Sequence, residues 1–164
     1  MNKIFKQKKS KSFIYDVQKN KKIDYNVIHK KKSAFSKLID KKKKSVILIT
    51  ENSIDFLVSY YCLIQNNFLV ILVGSHISEK KLGDLIYKFK PNFVCCSKNF
   101  NFKLFQTKKV FSSFFDYNLF LLNSNIANLH KNICLLLPTS GSTGESKFVK
   151  LTYKNIISNI KNIV

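Results

Sequence analysis

The chain has 164 residues, enough for one globular domain or for one piece of a larger protein. Hydrophobic residues make up 45 % of it and there are only four glycines and two prolines, which excludes a disordered chain, a collagen-like repeat and a low-complexity linker. The formal net charge of +20 raises nucleic acid and anionic membrane surfaces as partners.

The first half of the chain alternates helical and strand patterns. The segment Asp24 to Ile39 spaces its apolar residues as a helix does, and Ser45 to Thr50 is a short β-branched run typical of a strand covered on both faces. Helical spacing returns from Ile54 to Ile64. A second buried-strand run covers Phe68 to Val73. Two such strands joined by a helix predict a parallel βαβ unit.

The same alternation continues for one more unit and then fades. Ser78 opens a helix that Pro91 ends, and Phe93 to Cys96 is a third short strand. The order strand, helix, strand, helix, strand predicts an α/β fold with a parallel sheet. The segment Ser97 to Lys131 has aromatic clusters without a clean period, so the sequence predicts no element there.

The last part of the chain again shows patterns that predict secondary structure. Ile133 to Leu137 is a predicted strand, Phe148 to Leu151 is a brief extended segment, and Thr152 can cap a final helix. No Gly, Asn-Gly or Pro closes that helix, so we expect a sequence truncated inside it. At the other end, the Lys-rich residues 1–23 are expected to be a basic lead-in.

The polar loop between the last two strands holds the residues best suited to bind a ligand. From Pro138 to Lys147 it reads Pro-Thr-Ser-Gly-Ser-Thr-Gly-Glu-Ser-Lys. The glycines allow close backbone approach, the hydroxyl and N–H groups can donate to an anion, and Lys147 adds a positive charge, so the loop suits a polyphosphate. Only two residues separate the glycines, which does not match the Walker pattern. On composition alone, an ordinary Ser/Thr/Gly turn remains an equal alternative.

The longer pattern around the loop resembles a known signature. Leu136 to Lys147, followed by Val149 and by Leu151 to Ile156, resembles the phosphate-binding motif of the AMP-binding, adenylate-forming enzymes. These are the acyl-CoA synthetases, nonribosomal peptide adenylation domains and luciferases. Asp24 to Ile28 and Glu51 to Phe56 resemble earlier motifs of the family, in the same order.

Three positions depart from that family pattern. Ser146 stands where Pro is usual, Phe148 where Gly is usual, and Tyr153 where His is common. The first two changes imply a less rigid loop with a more crowded exit. The hydroxyls, both glycines and the Lys are retained, so phosphate contact is still implied.

The resemblance implies a chemistry. Such enzymes join a carboxylic acid to ATP with Mg²⁺, release pyrophosphate, and usually pass the acyl group to coenzyme A or a carrier-protein thiol. The residues implied to hold the ATP phosphates are Thr139, Ser140, Gly141, Ser142, Thr143, Gly144 and Lys147. The adenine, ribose and acyl pockets and the catalytic Lys of complete members follow this loop. Residues 24–164 are therefore expected to be the N-terminal, incomplete part of the AMP-binding domain, with no catalytic residue or metal ligand within this chain, and to be inactive alone.

Cysteine and histidine usage adds no second site. Cys62, Cys95, Cys96 and Cys134 lack zinc-ligand spacing, so we expect buried, reduced thiols. The three histidines, His29, His76 and His130, lie outside the loop and are assigned no role. No run approaches the roughly 18 apolar residues of a membrane span, and the basic start leads into no signal-peptide stretch. A cytoplasmic protein without a transmembrane segment is expected.

The basic charge leaves alternative functions open. All 29 basic residues are Lys, whereas nucleic-acid sites favour the Arg fork, and the abundant residues are those with A/T-rich codons. Composition bias is therefore favoured over a selected polyanion site, and no specific nucleic acid is expected as a partner. A stand-alone Lys-rich module that binds RNA or anionic membrane is the alternative function, and an inactive gene remnant is another.

Overall fold

The structure is a computed structural model that describes residues 13–17, 19–39, 42–101, 108–114, 116–122, 129–139 and 147–163. Its elements in chain order are β1 (Phe13–Asp16), β2 (Lys21–Asp24), α1 (Tyr25–Leu38), β3 (Ser45–Thr50), α2 (Ile54–Gln65), β4 (Leu69–Gly74), α3 (Glu79–Phe89), β5 (Phe93–Ser97), β6 (Lys108–Phe114), β7 (Tyr117–Leu121), β8 (Ile133–Pro138), β9 (Phe148–Thr152) and α4 (Tyr153–Ile163).

Seven strands form one mixed sheet in the order β6-β7-β5-β3-β4-β8-β9. The four central strands, β5, β3, β4 and β8, run parallel to one another. Antiparallel strands flank them, with β7 on β5, β6 on β7, and β9 on β8. The α/β fold with parallel βαβ units is confirmed, and the sheet is mixed because its edges are antiparallel.

The central strand is buried on both faces, as its apolar run predicts. Val46 and Leu48 of β3 lie in one core cluster with α1 and α2, whereas Ile47 and Ile49 lie in a second cluster with Leu82 of α3. Helices α2 and α3 therefore cover opposite faces of the sheet. The connections leaving the neighbouring strands β3 and β4 diverge, which is the arrangement that opens a ligand crevice at the carboxyl ends of parallel strands.

Side-chain caps fix where three helices begin. The Asp24 carboxylate accepts a hydrogen bond from the Asn26 N–H at 2.7 Å, and the Ser53 hydroxyl accepts one from the Phe56 N–H at 3.1 Å. Ser78 caps α3 in the same way. These contacts satisfy N–H groups that have no partner inside the helix, so the predicted helix starts at Asn52 or Ser53 and at Ser78 are confirmed.

A β-hairpin occupies part of the segment for which the sequence predicts no element. Strands β6 and β7 pair with each other, and β7 extends the sheet next to β5. Tyr117 of β7 is fully buried, and its hydroxyl donates to the carbonyl oxygen of Ile49 at 3.0 Å. This hydrogen bond joins β7 to the end of β3.

A second hairpin, β1–β2, lies within the predicted basic lead-in. Ile23 of β2 is buried in the core cluster of α1 and α2. The Lys19 ammonium, in the turn of the hairpin, donates to the buried Asp55 carboxylate of α2 at 3.2 Å. The described residues of this segment thus pack against the domain.

Candidate functional site

The β8–β9 hairpin brings together the two ends of the predicted phosphate loop. We call these ends, Pro138 and Thr139 on one side and Lys147 and Phe148 on the other, the neck of the loop. Pro138 of β8 is the cross-strand partner of Phe148 of β9. One step further, the Thr139 N–H donates to the Lys147 carbonyl oxygen at 2.9 Å, and the Thr139 hydroxyl donates to the same oxygen at 3.3 Å. Thr139 and Lys147 are both exposed. The geometry brings Thr139 and Lys147 together, while Ser140, Gly141, Ser142, Thr143 and Gly144 lie outside the described residues.

The neck lies at the carboxyl edge of the parallel strands. Strand β8 pairs with β4 in parallel through Val70 with Leu135 and Ile71 with Leu136, so both strands end at the same edge. Strand β3 ends there too, because Thr50 pairs with Gly74. The loop therefore leaves the sheet next to the point where α2 and α3 diverge, which is where α/β sheets bind ligands.

The structure describes two of the three residues that depart from the family pattern. The Phe148 ring lies edge-on to the Phe89 ring of α3, with centroids 5.0 Å apart, so its bulk is packed against that helix. The Tyr153 hydroxyl donates to the Ile64 carbonyl oxygen at 3.3 Å and joins α4 to the end of α2. Burial raises the pKa of Tyr153 to about 12, so this hydroxyl is protonated at neutral pH. Ser146 lies outside the described residues.

The helix that follows the loop begins with a reciprocal cap. The Asn155 side-chain oxygen accepts from the Thr152 N–H at 2.9 Å, and the Asn155 N–H donates to the Thr152 hydroxyl at 3.2 Å. This is the geometry of a capping box with Asn in the place of Glu or Gln. The predicted helix start at Thr152 is confirmed, and the cap holds α4 directly after β9.

A cavity of about 560 Å³ opens between α3 and the neck of the loop. Its apolar lining comes from the end of β4, the inner side of α3 and the two strand ends at the neck, and its polar lining comes from His76, Lys81, Asp84 and Lys88. Sequence reasoning missed this cavity. The helical spacing of Lys81, Asp84, Leu85 and Lys88 is the one signal that puts them on a common side of α3.

Outside the loop, the four cysteines are the other candidate metal ligands in the sequence. All four cysteines are free and buried, as expected, and burial raises the pKa of Cys62 and of Cys96 to about 12. Among the described residues, no group of three or more His, Cys, Asp or Glu is placed to hold a metal ion. In the same part of the chain, every helix is too short or too polar to cross a bilayer.

Solved structures identify the fold as that of adenylate-forming enzymes. An E. coli MenE variant with bound OSB-AMS matches 94 % of this chain with a TM-score of 0.66 and 16 % identity, and the chain covers 34 % of it. The Bacillus subtilis MenE, an O-succinylbenzoate coenzyme A synthetase in complex with AMP, matches 91 % of this chain with a TM-score of 0.64 and 15 % identity, and the chain covers 40 % of it. The chain thus has the α/β fold of the N-terminal part of these enzymes.

A sequence comparison found similarity to one acid–CoA ligase. The 2-succinylbenzoate–CoA ligase of Lactococcus lactis is 26 % identical to this chain over 134 residues, which are 82 % of the chain and 29 % of the ligase. No family model matches the chain. The resemblance inferred from the loop motif is confirmed, and it extends over less than a third of the length of that curated relative.

Proposed function

We propose that this chain is the N-terminal part of an ATP-dependent carboxylate-activating ligase, with the AMP-binding portion over residues 24–164. The observation that carries the proposal is the neck of the loop, where Thr139 and Lys147 are hydrogen-bonded at the carboxyl edge of β8. The relative in Lactococcus is an acid–CoA ligase, and the B. subtilis relative binds AMP. The complete protein would form an acyl-adenylate and then a thioester with coenzyme A or a carrier-protein thiol.

In this proposal the loop holds the β- and γ-phosphates of ATP. The bond between the Thr139 N–H and the Lys147 carbonyl oxygen holds the two ends of the loop together. The hydroxyl and N–H groups of residues 140–144 are the donors that we propose for the phosphates. The exposed Lys147 side chain neutralises charge on the leaving pyrophosphate. The Mg²⁺ of the bound nucleotide would spread the same charge, and this chain would contribute donors and a cation to that complex.

The proposal is tested by nucleotide binding, because the chain alone is expected to be inactive. We expect the full chain to bind MgATP and pyrophosphate in isothermal titration calorimetry. Lys147→Ala should weaken binding about 10- to 100-fold, since a charge-assisted hydrogen bond contributes about 1.5 to 3 kcal/mol. Lys150→Ala, an exposed lysine of β9, is the matched control. Equal affinities of the two variants would remove Lys147 from the phosphate role.

This chain aligns with 29 % of the Lactococcus ligase, so the exchange reaction is tested in a hybrid with the rest of that enzyme. A hybrid in which this chain replaces the aligned region of the Lactococcus ligase should support ATP–pyrophosphate exchange. Lys147→Ala in that hybrid should slow exchange about 10²- to 10³-fold, which is the usual effect of losing one charge-stabilising donor. Exchange that is unaffected by the substitution would contradict the proposed role.

The alternative functions give different results in the same titrations. A stand-alone Lys-rich module would bind RNA or anionic vesicles with an affinity that falls steeply with added salt, and it would show no response to MgATP. An inactive gene remnant would bind neither nucleotide nor polyanion specifically. Saturable MgATP binding that depends on Lys147 would exclude both.

A further inference from the structure

An aromatic pair packs the neck of the phosphate loop against α3. The rings of Phe148 and Phe89 meet at an angle of 81°, with centroids 5.0 Å apart. Edge-to-face pairs are favourable because the positive edge of one ring meets the negative face of the other. Phe148 is also the cross-strand partner of Pro138, and the adjacent residues Thr139 and Lys147 are hydrogen-bonded at 2.9 Å. The aromatic contact therefore lies one residue from the bond that closes the loop.

Phe89 is held in place at the end of α3. It is the last residue of the helix and packs against the core cluster that contains the buried Leu82. The next residue, Lys90, has a left-handed backbone with φ of 44°, and its N–H donates to the Ile86 carbonyl oxygen at 2.8 Å. That bond and the following Pro91 end the helix at a defined point. Phe89 is therefore a fixed support for β9, the terminal strand of the sheet.

Backbone hydrogen bonds alone give the neck limited support. Pro138 has no N–H, so it cannot donate to β9 at its pairing with Phe148. Thr139 and Lys147 are exposed, so water competes for the hydrogen bond between them. The Phe148 ring is half-buried, and its contact with Phe89 lies on the inner side of this weakly paired end. Packing of the two rings is therefore the contact that can keep the neck closed.

We propose that Phe89 is a positioning residue for the phosphate loop and acts through Phe148 to hold the neck closed. Helix α3, which is fixed on the sheet by Leu82, supports the strand that follows the loop. The role of the loop in binding phosphate rests on the proposed function. Closure of the neck is a property of this chain that can be measured without a nucleotide.

Amide hydrogen exchange of the full chain, followed by NMR, measures closure of the neck, because the Thr139 N–H is protected by its bond to Lys147. Phe89→Ala should speed exchange at Thr139 about 3- to 10-fold, the effect of losing one aromatic pair. Phe89→Tyr keeps the ring and should restore the parent rate. Tyr87→Ala, which removes an 82 % exposed ring from the same helix, is the matched control and should leave the rate unchanged.

Further variants separate positioning from a loss of overall stability. Ile86→Ala removes apolar bulk from the same core cluster and keeps both rings, so it should lower the free energy of unfolding and leave the Thr139 rate unchanged. Phe148→Ala should match Phe89→Ala, and the two together should have the effect of one, because both remove the same contact. Phe89→Leu replaces Phe89→Ala if that variant does not fold. An unchanged Thr139 rate in the Phe89 variant, an equal rise in Ile86→Ala, or additive effects of the two phenylalanines would overturn the proposal.

Calorimetric titration with MgATP connects the neck to nucleotide binding. Phe89→Ala should raise the MgATP Kd by about the same 3- to 10-fold, and Phe89→Tyr should leave it unchanged. Faster exchange at Thr139 with an unchanged Kd would overturn the positioning role. If the parent chain does not bind MgATP, the proposed function fails, and the exchange rates alone then decide whether Phe89 holds the neck closed. The two failures are therefore distinguishable.

Discussion

The buried carboxylate of Asp55 provides a direct test of how the N-terminal hairpin is held on the domain. Asp55 is 1 % exposed, and it accepts a hydrogen bond from the Lys19 ammonium at 3.2 Å. A second lysine, Lys21, lies with its ammonium 3.6 Å from the other carboxylate oxygen. The Lys19 and Lys21 side chains are 51 % and 39 % exposed, so the ion pairs join a buried anion to hydrated cations.

The size of the effect follows from this unequal burial. Breaking a fully buried ion pair costs about 3 to 5 kcal/mol, whereas an exposed pair contributes about 0 to 1 kcal/mol. Lys19→Ala leaves the buried carboxylate without its hydrogen-bond donor, but solvent reaches the lysine side of the contact. We therefore expect a loss of about 1.5 to 3 kcal/mol in the free energy of unfolding, the range for a hydrogen bond to a charged group.

Urea denaturation followed by far-ultraviolet circular dichroism measures this loss. Lys30→Ala, an exposed lysine of α1, is the control for removal of a surface charge. Asp55→Asn in the Lys19→Ala background should recover part of the loss, because a neutral amide is less costly to bury than a carboxylate that has lost its hydrogen-bond donor. A Lys19→Ala variant within about 0.5 kcal/mol of the Lys30→Ala control would refute the reasoning.

The same contact has a defined pH dependence. The hydrogen bond to Asp55 raises the pKa of Lys19 above its ordinary value of 10.5. The stabilisation is therefore complete below pH 10.5 and is lost as the pH rises through the higher pKa of the folded state. The stabilities of the parent chain and Lys19→Ala should converge in strongly alkaline solution, and a difference that grows there would contradict this account.

Two further predictions concern the core. Phe35 is fully buried, with its ring centroid 5.8 Å from that of Phe68, so Phe35→Ala should cost about 3 to 5 kcal/mol in urea titrations, and a cost below about 1 kcal/mol would contradict the packing. Burial raises the pKa of the Cys62 thiol from its ordinary 9.0 to about 12, so the free energy of unfolding should fall as the pH rises from 9 towards 12, by at most about 1.4 kcal/mol per pH unit from this group. Comparison with Cys62→Ala isolates that slope, and an equal slope in both would contradict it.

The elements that the sequence predicts well are those whose pattern is contained in one segment. The apolar run from Ser45 to Thr50 coincides with β3, and the helical spacing from Ile54 coincides with α2. Strand β7 has no such pattern, because Tyr117, Asn118 and Leu119 are all buried although they point to alternate faces. With both faces covered and a polar residue between two apolar ones, neither a period of two nor a continuous apolar run marks this strand.

Only part of the candidate site can be predicted from neighbouring residues in the sequence. The chemistry of the loop is predicted from contiguous residues, since the glycines, hydroxyls and Lys147 follow one another along the chain. The geometry of the neck is not predicted from contiguous residues, because the bond between Thr139 and Lys147 requires the antiparallel register of β8 and β9. The position of the neck at the carboxyl edge of the sheet depends on the parallel pairing of β8 with β4, a strand more than fifty residues earlier in the chain.

Phe148, which stands where the family pattern usually has Gly, has contacts in the structure that the sequence does not predict. In the sequence it predicts a crowded exit from the phosphate loop. In the structure its ring packs against Phe89 and lines the cavity beside α3. Because Phe148 and Pro138 are cross-strand partners at the neck, the residue that builds the cavity wall also fixes the base of the loop.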